Sequence, residues 1–479
     1  MIVKEGKEEL LTYLEDASNF REGNAEKLYI PEDERELIYI LTDCAKSNIP
    51  VTISSGGTGT VGGRIPKGGI IISMEKLNRI LKIDREEKSA ILQAGVVVND
   101  FLNLIDKDGL FYPPFPTERT AFIGGNVATN ASGEYSFRFG PTRRYVKKIR
   151  MVLTDGRILK IERDTIYERN GIIDYGIFKV PLPSYRTPPV KCSAGYFSQE
   201  GMDGIDLVIG SEGTLGVITE VDVSLIDALP PRFIVILFLK DEEGIPLVVR
   251  EIKDGYRDNI FSLEFFDSGS LRFLKDDFPS IPDGTCAIYV ESISTTEEME
   301  RWLDIAERYN AVDTWLAEDR KNYEKLIDFR HRLPENINAY FRKIGIVKVA
   351  MDIAVPESSF PEMYGFYRSI MKSEKIHSIL FGHIGENHLH FNLFPYSDEE
   401  KRRSKEIYEA CVRKAISLGG TVAAEHGIGK IKHRWLEMMY GREGLKEMAE
   451  IKKIFDPYCI LGLDNIFPSE LLREKGSVK

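Results

Sequence analysis

Val51-Thr52-Ile53-Ser54-Ser55-Gly56-Gly57-Thr58-Gly59-Thr60-Val61-Gly62-Gly63 sets a short β-branched run against a stretch dense in glycine. The first four residues read as a strand. Gly57 to Gly62 then satisfies G-x-G-x-x-G, which after a strand suggests a dinucleotide site on a Rossmann fold. That fold also needs a helix whose N-terminus faces the pyrophosphate, and Gly63 and Pro66 interrupt any helix before the next strand begins at Gly69. A Walker loop is excluded too, because no Gly-Lys-Ser/Thr follows. Two readings are left: an anion nest of successive backbone N–H groups, or a tight strand connection that needs positive φ.

On either side of this loop the pattern alternates as in an α/β protein. A helix is expected from Asp33 to Ser47, and strands at Gly69–Ser73, Arg79–Asp84 and Ser89–Gln93, the last two joined by a solvated charged turn at Arg85–Lys88. A second Gly- and Asn-rich segment, Phe122–Gly140, precedes a strand, turn and strand over Lys148–Ile161, with Asp155-Gly156 as the hairpin signal. Tyr167–Gly201 is irregular, proline-rich and about 35 residues long, beyond ordinary loop lengths, so it is either a functional cover or hides an element. A strand is expected at Asp206–Gly210, running into Gly210-Ser211-Glu212-Gly213-Thr214-Leu215-Gly216, and another at Val217–Leu225. Ala228-Leu229-Pro230-Pro231 reads as a domain boundary. Beyond it a separate α+β unit is expected, with strands at Arg232–Leu239, Thr285–Glu291 and Val347–Val355 and helices near Thr296–Tyr309 and Glu399–Leu418. The final segment, Lys432–Lys479, reads as an amphipathic helix until Asp456-Pro457.

At 479 residues the chain can build two or three packed units and enclose a cofactor. Its 43% hydrophobic and 29% charged residues argue against disorder, and a net charge of −11 weighs against nucleic-acid binding. Five scattered cysteines form no Cys-x-x-Cys pair, which gives no signature of an iron–sulfur cluster or a disulfide framework and fits a reducing compartment. The first 16 residues carry charges and no apolar core, and no stretch reaches the length of a membrane span, so a cytoplasmic location is expected.

Ser55 to Gly59 with Gly62 and Gly63 resembles the pyrophosphate loop of the vanillyl-alcohol-oxidase-type FAD proteins. Ile123-Gly124-Gly125-Asn126-Val127-Ala128-Thr129-Asn130-Ala131, Gly210 to Thr219, Gly382-His383-Ile384-Gly385 continuing to His390, and Ala424-Glu425-His426-Gly427-Ile428-Gly429 resemble one branch of that family. The branch holds glycolate oxidase flavin subunits, D-lactate dehydrogenases and D-2-hydroxyglutarate dehydrogenases, and the matches keep its order from about residue 30 onward. The resemblance implies an α+β architecture. A PCMH-type FAD-binding domain of two α/β subdomains would span residues 1–228, with a proline-rich insertion near 165–200. An α+β substrate (cap) domain with an antiparallel sheet would span 229–425, and a helical segment, 426–479, would return to the FAD domain.

The same resemblance implies which residues hold FAD: Ser55, Gly56, Gly57, Thr58, Gly59, Gly62 and Gly63 at the pyrophosphate, with Pro116, Thr117, Gly124, Gly125, Asn126, Asn130, Glu212, Gly213, Gly216 and Ile218 along the rest. Glycines let the backbone approach a ligand, and short polar side chains can bond to it without crowding. Relatives with covalent flavin carry a histidine where Thr58 stands, so the flavin here is expected to be non-covalent.

Of the seven histidines, His383, His388, His390 and His426 lie in two short motifs. His383, His390 and Glu425 offer two nitrogens and one oxygen, a set suited to a catalytic metal with open positions, and the family places its ligands there. Zinc is the first expectation, with iron or manganese as alternatives. His426 is the expected base for a hydroxyl proton and Arg330 the expected partner of a substrate carboxylate, with Arg332 next in line. Asn392 shares a strand face with His390 and matches a family substrate contact. Lys348 is a weaker candidate, since the family's lysine stands in a different register relative to Asp352; a solvated surface charge is the alternative.

These features imply the oxidation of a small 2-hydroxy acid such as D-lactate, glycolate or D-2-hydroxyglutarate. Electrons would pass to a separate acceptor, an electron-transfer flavoprotein, an iron–sulfur protein or a quinone, through which the protein could also meet a membrane; a homodimer is left open. A non-catalytic flavin relay subunit would have no need of the histidine cluster, and a metallohydrolase would leave the glycine-rich segments unexplained. A sugar-acid or alditol dehydrogenase stays open. The departures lie around the substrate: the family's Asp-Gly-Asn is Glu386-Asn387-His388 here, Pro334 replaces a hydroxyl residue, and the C-terminal Asn-Pro-Gly-Lys pattern is altered to Gly462-Leu463-Asp464-Asn465. Acid precipitation of the purified protein should leave all the yellow colour in the supernatant; colour retained in the pellet would show a covalent bond.

Overall fold

A computed structural model describes residues 1–474. The glycine-rich loop leaves a four-stranded sheet ordered Ile2–Glu5, Lys27–Ile30, Ile70–Ser73, Val51–Ser54, in which the last three strands are parallel and the first is an antiparallel edge. Helix Glu34–Ser47 covers it. Asp33 caps the helix by accepting from Glu36 N–H at 2.9 Å, and Asn48 ends it in the left-handed region at φ 54°. Its buried residues, Leu37, Ile40, Leu41, Cys44 and Ala45, fall at helical spacing on one stripe.

A second sheet is wholly antiparallel, ordered Ile80–Asp84, Ser89–Gln93, Val217–Ser224, Val146–Val152, Ile158–Glu162. The third has eight strands: Asp313–Ala317, Arg232–Leu239, Cys286–Ile293, Ile260–Phe266, His377–Gly382, His388–Phe394 and Val349–Ala350 in order, with Ile353–Ala354 also on His388–Phe394. Its strands are apolar on both faces because each face has its own core. From Arg232–Leu239, Phe233, Val235, Leu237 and Leu239 join the large core. Ile234, Ile236 and Phe238 pack on the other side with Phe329, Leu333 and Ile337 of helix Arg320–Lys343.

Four elements differ from the sequence reading. The strand expected at Asp206–Gly210 is a short helix, Ile205–Val208. The segment is apolar on all sides because it is buried on all sides, and periodicity cannot separate the two cases. The expected strand Val347–Val355 is broken into two two-residue strands by Met351 and Asp352, whose backbone serves the site described below. Tyr167–Gly201 contains a hairpin, Ile172–Asp174 with Lys179–Pro181, and is otherwise irregular. Helix His433–Phe455 bends where Gly441 adopts φ 71°; residues 475–479 of that expected segment lie outside the described residues.

After this helix the chain pairs with the first sheet: Val51 N–H donates to Ile460 O at 2.8 Å and Gly462 N–H to Val51 O at 2.8 Å. A buried ion pair fastens the return. Lys452, 1% exposed, donates to Asp456 Oδ2, Thr214 O and Leu461 O, and Asp456 accepts from Thr154 Oγ1 and from Leu461 N–H. Lys452→Met would strand the Asp456 charge in the interior. It should lower stability by about 3–5 kcal/mol, read as an earlier urea transition, with Asp456→Asn added to the same chain recovering part of the loss.

Candidate active site

A cleft is walled by the loops that leave the first two sheets. Ser55, Gly56, Gly57, Thr58, Gly59 and Gly63 line it from the loop after Val51–Ser54, and Pro116 and Thr117 from the stretch before helix Ile123–Thr129. Gly124, Gly125 and Asn126 line it from that helix, and Glu212, Gly213, Gly216 and Ile218 from the entry to strand Val217–Ser224. Two of the residues expected to hold the cofactor do not face it. Gly62, at φ 74°, turns the chain against Phe20. Asn130 ends helix Ile123–Thr129 in the left-handed region, and its Oδ1 accepts from Arg143 N–H at 3.0 Å.

The cleft fits a nucleotide cofactor. A Cβ on Gly56 would stand 2.8 Å from Thr120 O and one on Gly125 2.6 Å from Ser55 Oγ, so glycine is required where the wall is two layers thick. Gly59 is different, since a Cβ there meets no protein atom within 4 Å; its bareness keeps space in the cleft itself. Asn126 Nδ2 and Ser132 Oγ, both on the wall, are buried without hydrogen-bond partners. Glu212 contributes backbone to the wall, while its carboxylate accepts from Ile428 N–H at 2.8 Å and Gly429 N–H at 2.7 Å. Burial pushes this carboxyl up to about 7. It binds the loop Ser211–Gly216 to the motif that carries Glu425 and His426.

His383, Glu425 and His426 line the same cleft. His383 ends strand His377–Gly382, His390 lies on strand His388–Phe394, and the two strands pair, with Phe381 opposite His390. Glu425 Oε1 gathers three imidazoles: the Nε2 atoms of His383, His390 and His426 stand 3.4, 3.5 and 3.4 Å from it. The opposite ring nitrogens are held from outside. His383 Nδ1 is 3.0 Å from Glu264 Oε1, His390 Nδ1 is 3.4 Å from Met351 O, and His426 Nδ1 is 3.6 Å from Asp352 Oδ2. Inward nitrogens around a carboxylate oxygen, with outward nitrogens oriented by acceptors, make a donor set that fits a divalent metal.

The surrounding charges set the protonation of the cluster. Burial works against both Glu425 and Asp352, yet Lys191 and His383 hold Glu425, and Lys432 and His426 hold Asp352, well below the carboxylate range. Glu264, also opposed by burial, is held at about 2 by Arg330 and His383. His426 is the most accessible of the ligand-set neighbours, with 36% of its side chain exposed, and burial by its surroundings lowers its imidazole below the ordinary value.

The remaining candidates sit behind this front. Arg330 is buried; its Nη2 donates to Glu264 Oε1 at 2.6 Å, and Nη1, 3.5 Å from Glu134 Oε2, has no hydrogen bond. Pro334 lies inside the helix one turn on, and with no N–H it leaves the Arg330 carbonyl without its helical donor. Asn392 is buried with Oδ1 unpartnered. Arg332 turns away to Asp277. Lys348 donates to Asn338 Oδ1 at 2.8 Å and does not line the cleft.

Sequence reasoning missed Lys191, Glu264 and Glu134. Lys191, inside the proline-rich segment, is 4% exposed and stands 2.7 Å from Glu425 Oε2 and 2.9 Å from Glu386 Oε2, where Ser136 Oγ also donates. Its only mark in the sequence is a lone cation following Pro188-Pro189-Val190. Glu264 sits in the apolar run Ile260–Phe266, where an acid needs buried partners; that mismatch was the available signal.

The family described as "FAD binding domain" matches residues 25–162, and "FAD linked oxidases, C-terminal domain" matches residues 232–463. Glycolate oxidase subunit GlcD of Bacillus subtilis is 28% identical over 473 residues, which is 96% of this chain and 93% of that one. D-lactate dehydrogenase of Anaerostipes hadrus is 29% identical over 445 residues, 89% of this chain and 86% of its own. D-2-hydroxyglutarate dehydrogenase of Stutzerimonas stutzeri is 25% identical over 453 residues, covering 90% and 89%. Among solved structures, an alkyldihydroxyacetonephosphate synthase superposes with a TM-score of 0.66 at 15% identity over 96% of this chain and 82% of that one, a likeness of fold.

Gly59→Val would place a branched side chain in open cleft space without meeting protein. The variant should keep the thermal stability of the flavin-free protein while its flavin-to-protein absorbance ratio falls at least about tenfold; a normal ratio would remove this part of the cleft from the cofactor site.

Proposed function

The chain belongs to the FAD-linked oxidoreductases of the glycolate oxidase, D-lactate dehydrogenase and D-2-hydroxyglutarate dehydrogenase branch, and from that membership we propose that it oxidises a small 2-hydroxy acid to the 2-oxo acid. The observation that carries the reading is a shared cleft: the glycine-rich walls and His383, Glu425 and His426 face one space. FAD is proposed to bind there non-covalently, Thr58 standing where covalent relatives carry a histidine, with a divalent metal on His383, His390 and Glu425, zinc first and iron or manganese as alternatives. When bound, the flavin supplies the hydride acceptor and the metal a Lewis acid that acidifies the substrate hydroxyl.

The chain's own residues then have separable tasks. His426, whose imidazole its surroundings lower below the ordinary value, takes the hydroxyl proton on Nε2, and Asp352 behind Nδ1 orients the ring and stabilises the cation that forms. Arg330, behind the cleft wall, is proposed to turn Nη1, which has no hydrogen bond, to the substrate carboxylate, a contact that would fix the hydrogen-bearing carbon in one orientation. Asn392 offers its unpartnered Oδ1. Lys348, bonded to Asn338 away from the cleft, is the weakest of the proposed substrate residues. Among the described residues no helix is long and apolar enough to cross a membrane. Electrons are proposed to leave to a separate acceptor in the cytoplasm or at a membrane partner, and D-lactate dehydrogenases described as cytochrome-linked are among the relatives.

Anaerobic mixing with D- and L-lactate, glycolate and D- and L-2-hydroxyglutarate tests the reading. At least one should bleach the flavin; prior treatment with a chelator should abolish bleaching without releasing the yellow colour. His426→Ala should slow bleaching by about 10²–10⁴ with flavin and metal content unchanged. Bleaching by none of the acids would sink the proposal.

A further inference from the structure

His388 is fully buried on the strand that carries His390, and neither of its ring nitrogens has a hydrogen bond of good geometry. A ring nitrogen without any partner is costly in a core, so an ordinary packing role leaves Nδ1 unexplained. Nδ1 points toward the cluster, 4.0 Å from Glu425 Oε2, while Nε2 stands 3.1 Å from Asp352 Oδ1. This is the arrangement of His383 with the two nitrogens exchanged: one nitrogen toward the shared centre, the other against a carboxylate. Ligand atoms of His383, His388, His390 and Glu425 all lie within 4.8 Å of one another. Around a metal with bonds of about 2.0–2.2 Å they would close to roughly 3.4 Å, a contraction within reach of small side-chain rotations.

We propose that His388, through Nδ1, is a fourth protein ligand, so that the centre has three imidazoles and one carboxylate. The proposal rests on the reading of His383, His390 and Glu425 as a metal site. Asp352 completes the case. Its two oxygens face His388 and His426 and accept from the backbone N–H groups of Glu425 and His426, so the same carboxylate that orients the fourth ligand also sets the Glu425 ligand and the proposed base. The site keeps room for a substrate hydroxyl by five-coordination, which metals of this kind accept. Where the family's motif has asparagine, this chain has exchanged an amide for an imidazole, and tighter metal retention is the expected gain.

The test uses flavin-loaded protein stripped with a chelator and titrated with Co²⁺, reading affinity and the d–d bands to the red of the flavin absorption. His388→Asn and His388→Gln should each bind Co²⁺ roughly tenfold or more weakly, with changed band intensity and with the flavin spectrum intact. Wild-type affinity and band shape in both variants would overturn the assignment of His388 alone. Wild-type protein that takes up no Co²⁺ would overturn the metal reading of the whole cluster. Electron spin-echo modulation of Cu²⁺-loaded wild type, which needs no variant to fold, should count three coordinated imidazoles; two would exclude His388.

Discussion

Asp352 is 1% exposed and accepts from Glu425 N–H, His426 N–H and Lys432 Nζ, while its oxygens face His388 and His426. A buried carboxylate is unfavourable unless every lone pair is used and a cation is close, and here both conditions hold. The result is that three segments distant in sequence meet at one group: the broken strand around Asp352, the hairpin His377–Phe394, and the loop that carries Glu425 and His426. None of these could shift without exposing or stranding that charge. The interruption of strand Val347–Val355 follows from the same demand, since a regular strand through Asp352 would spend on a ladder the backbone that Met351 and Ala424 use here: Met351 O faces His390 Nδ1 and Asp352 O accepts from Ala424 N–H.

The electrostatics extend outward from this point. Arg330, Lys191 and Lys432 lie among Glu134, Glu264, Asp352, Glu386 and Glu425, three cations against five carboxylates. With His383 neutral, as a ligand must be, two negative charges are left over, which a divalent cation would balance. In place of a metal, a proton on His383 takes up part of that charge: despite burial, Glu264 and Glu425 hold its imidazole up at about 9. Lys191 does more than balance charge. By taking Glu425 Oε2 it leaves Oε1 to the three imidazoles, and it ties the proline-rich segment to the floor of the site. Ser193 N–H, donating to Ala423 O, adds a second tie. The irregular cover is therefore built into the centre rather than laid over it.

The parts legible in the sequence were those where chemistry imposes residue types at short spacing. The glycine-rich loop, the Gly382–His390 hairpin and Ala424–Gly429 could be read because neighbours in sequence act together. The strand Arg232–Leu239 was legible for another reason, a run of β-branched and aromatic residues whose lack of alternation reflects two cores. Helix Arg320–Lys343 was not, since Pro334 sits in its interior and denies the usual signal; the helix survives because Phe329, Leu333 and Ile337 are packed against the sheet. Lys191 and Asp352 depend on partners far off in the chain, such as Glu425 and Lys432, and leave no local pattern, while Glu264 shows only as an acid in an apolar run.

The departures around the substrate obey one logic. Glu386, one methylene longer than the aspartate it replaces, reaches Lys191 and Ser136, so its charge is spent inside the protein. Arg330 is likewise half committed to Glu264, and Pro334 changes the helix backbone behind it without adding a donor. Each change therefore bears on the cationic groups behind the cleft wall, while the nitrogens and the carboxylate oxygen that would hold the metal are untouched. The changes are thus confined to the charge around the cluster and leave its donor set as it is. Few of the cations around the cluster are left uncommitted, because Lys191 is already shared between two carboxylates and Arg330 gives Nη2 to Glu264.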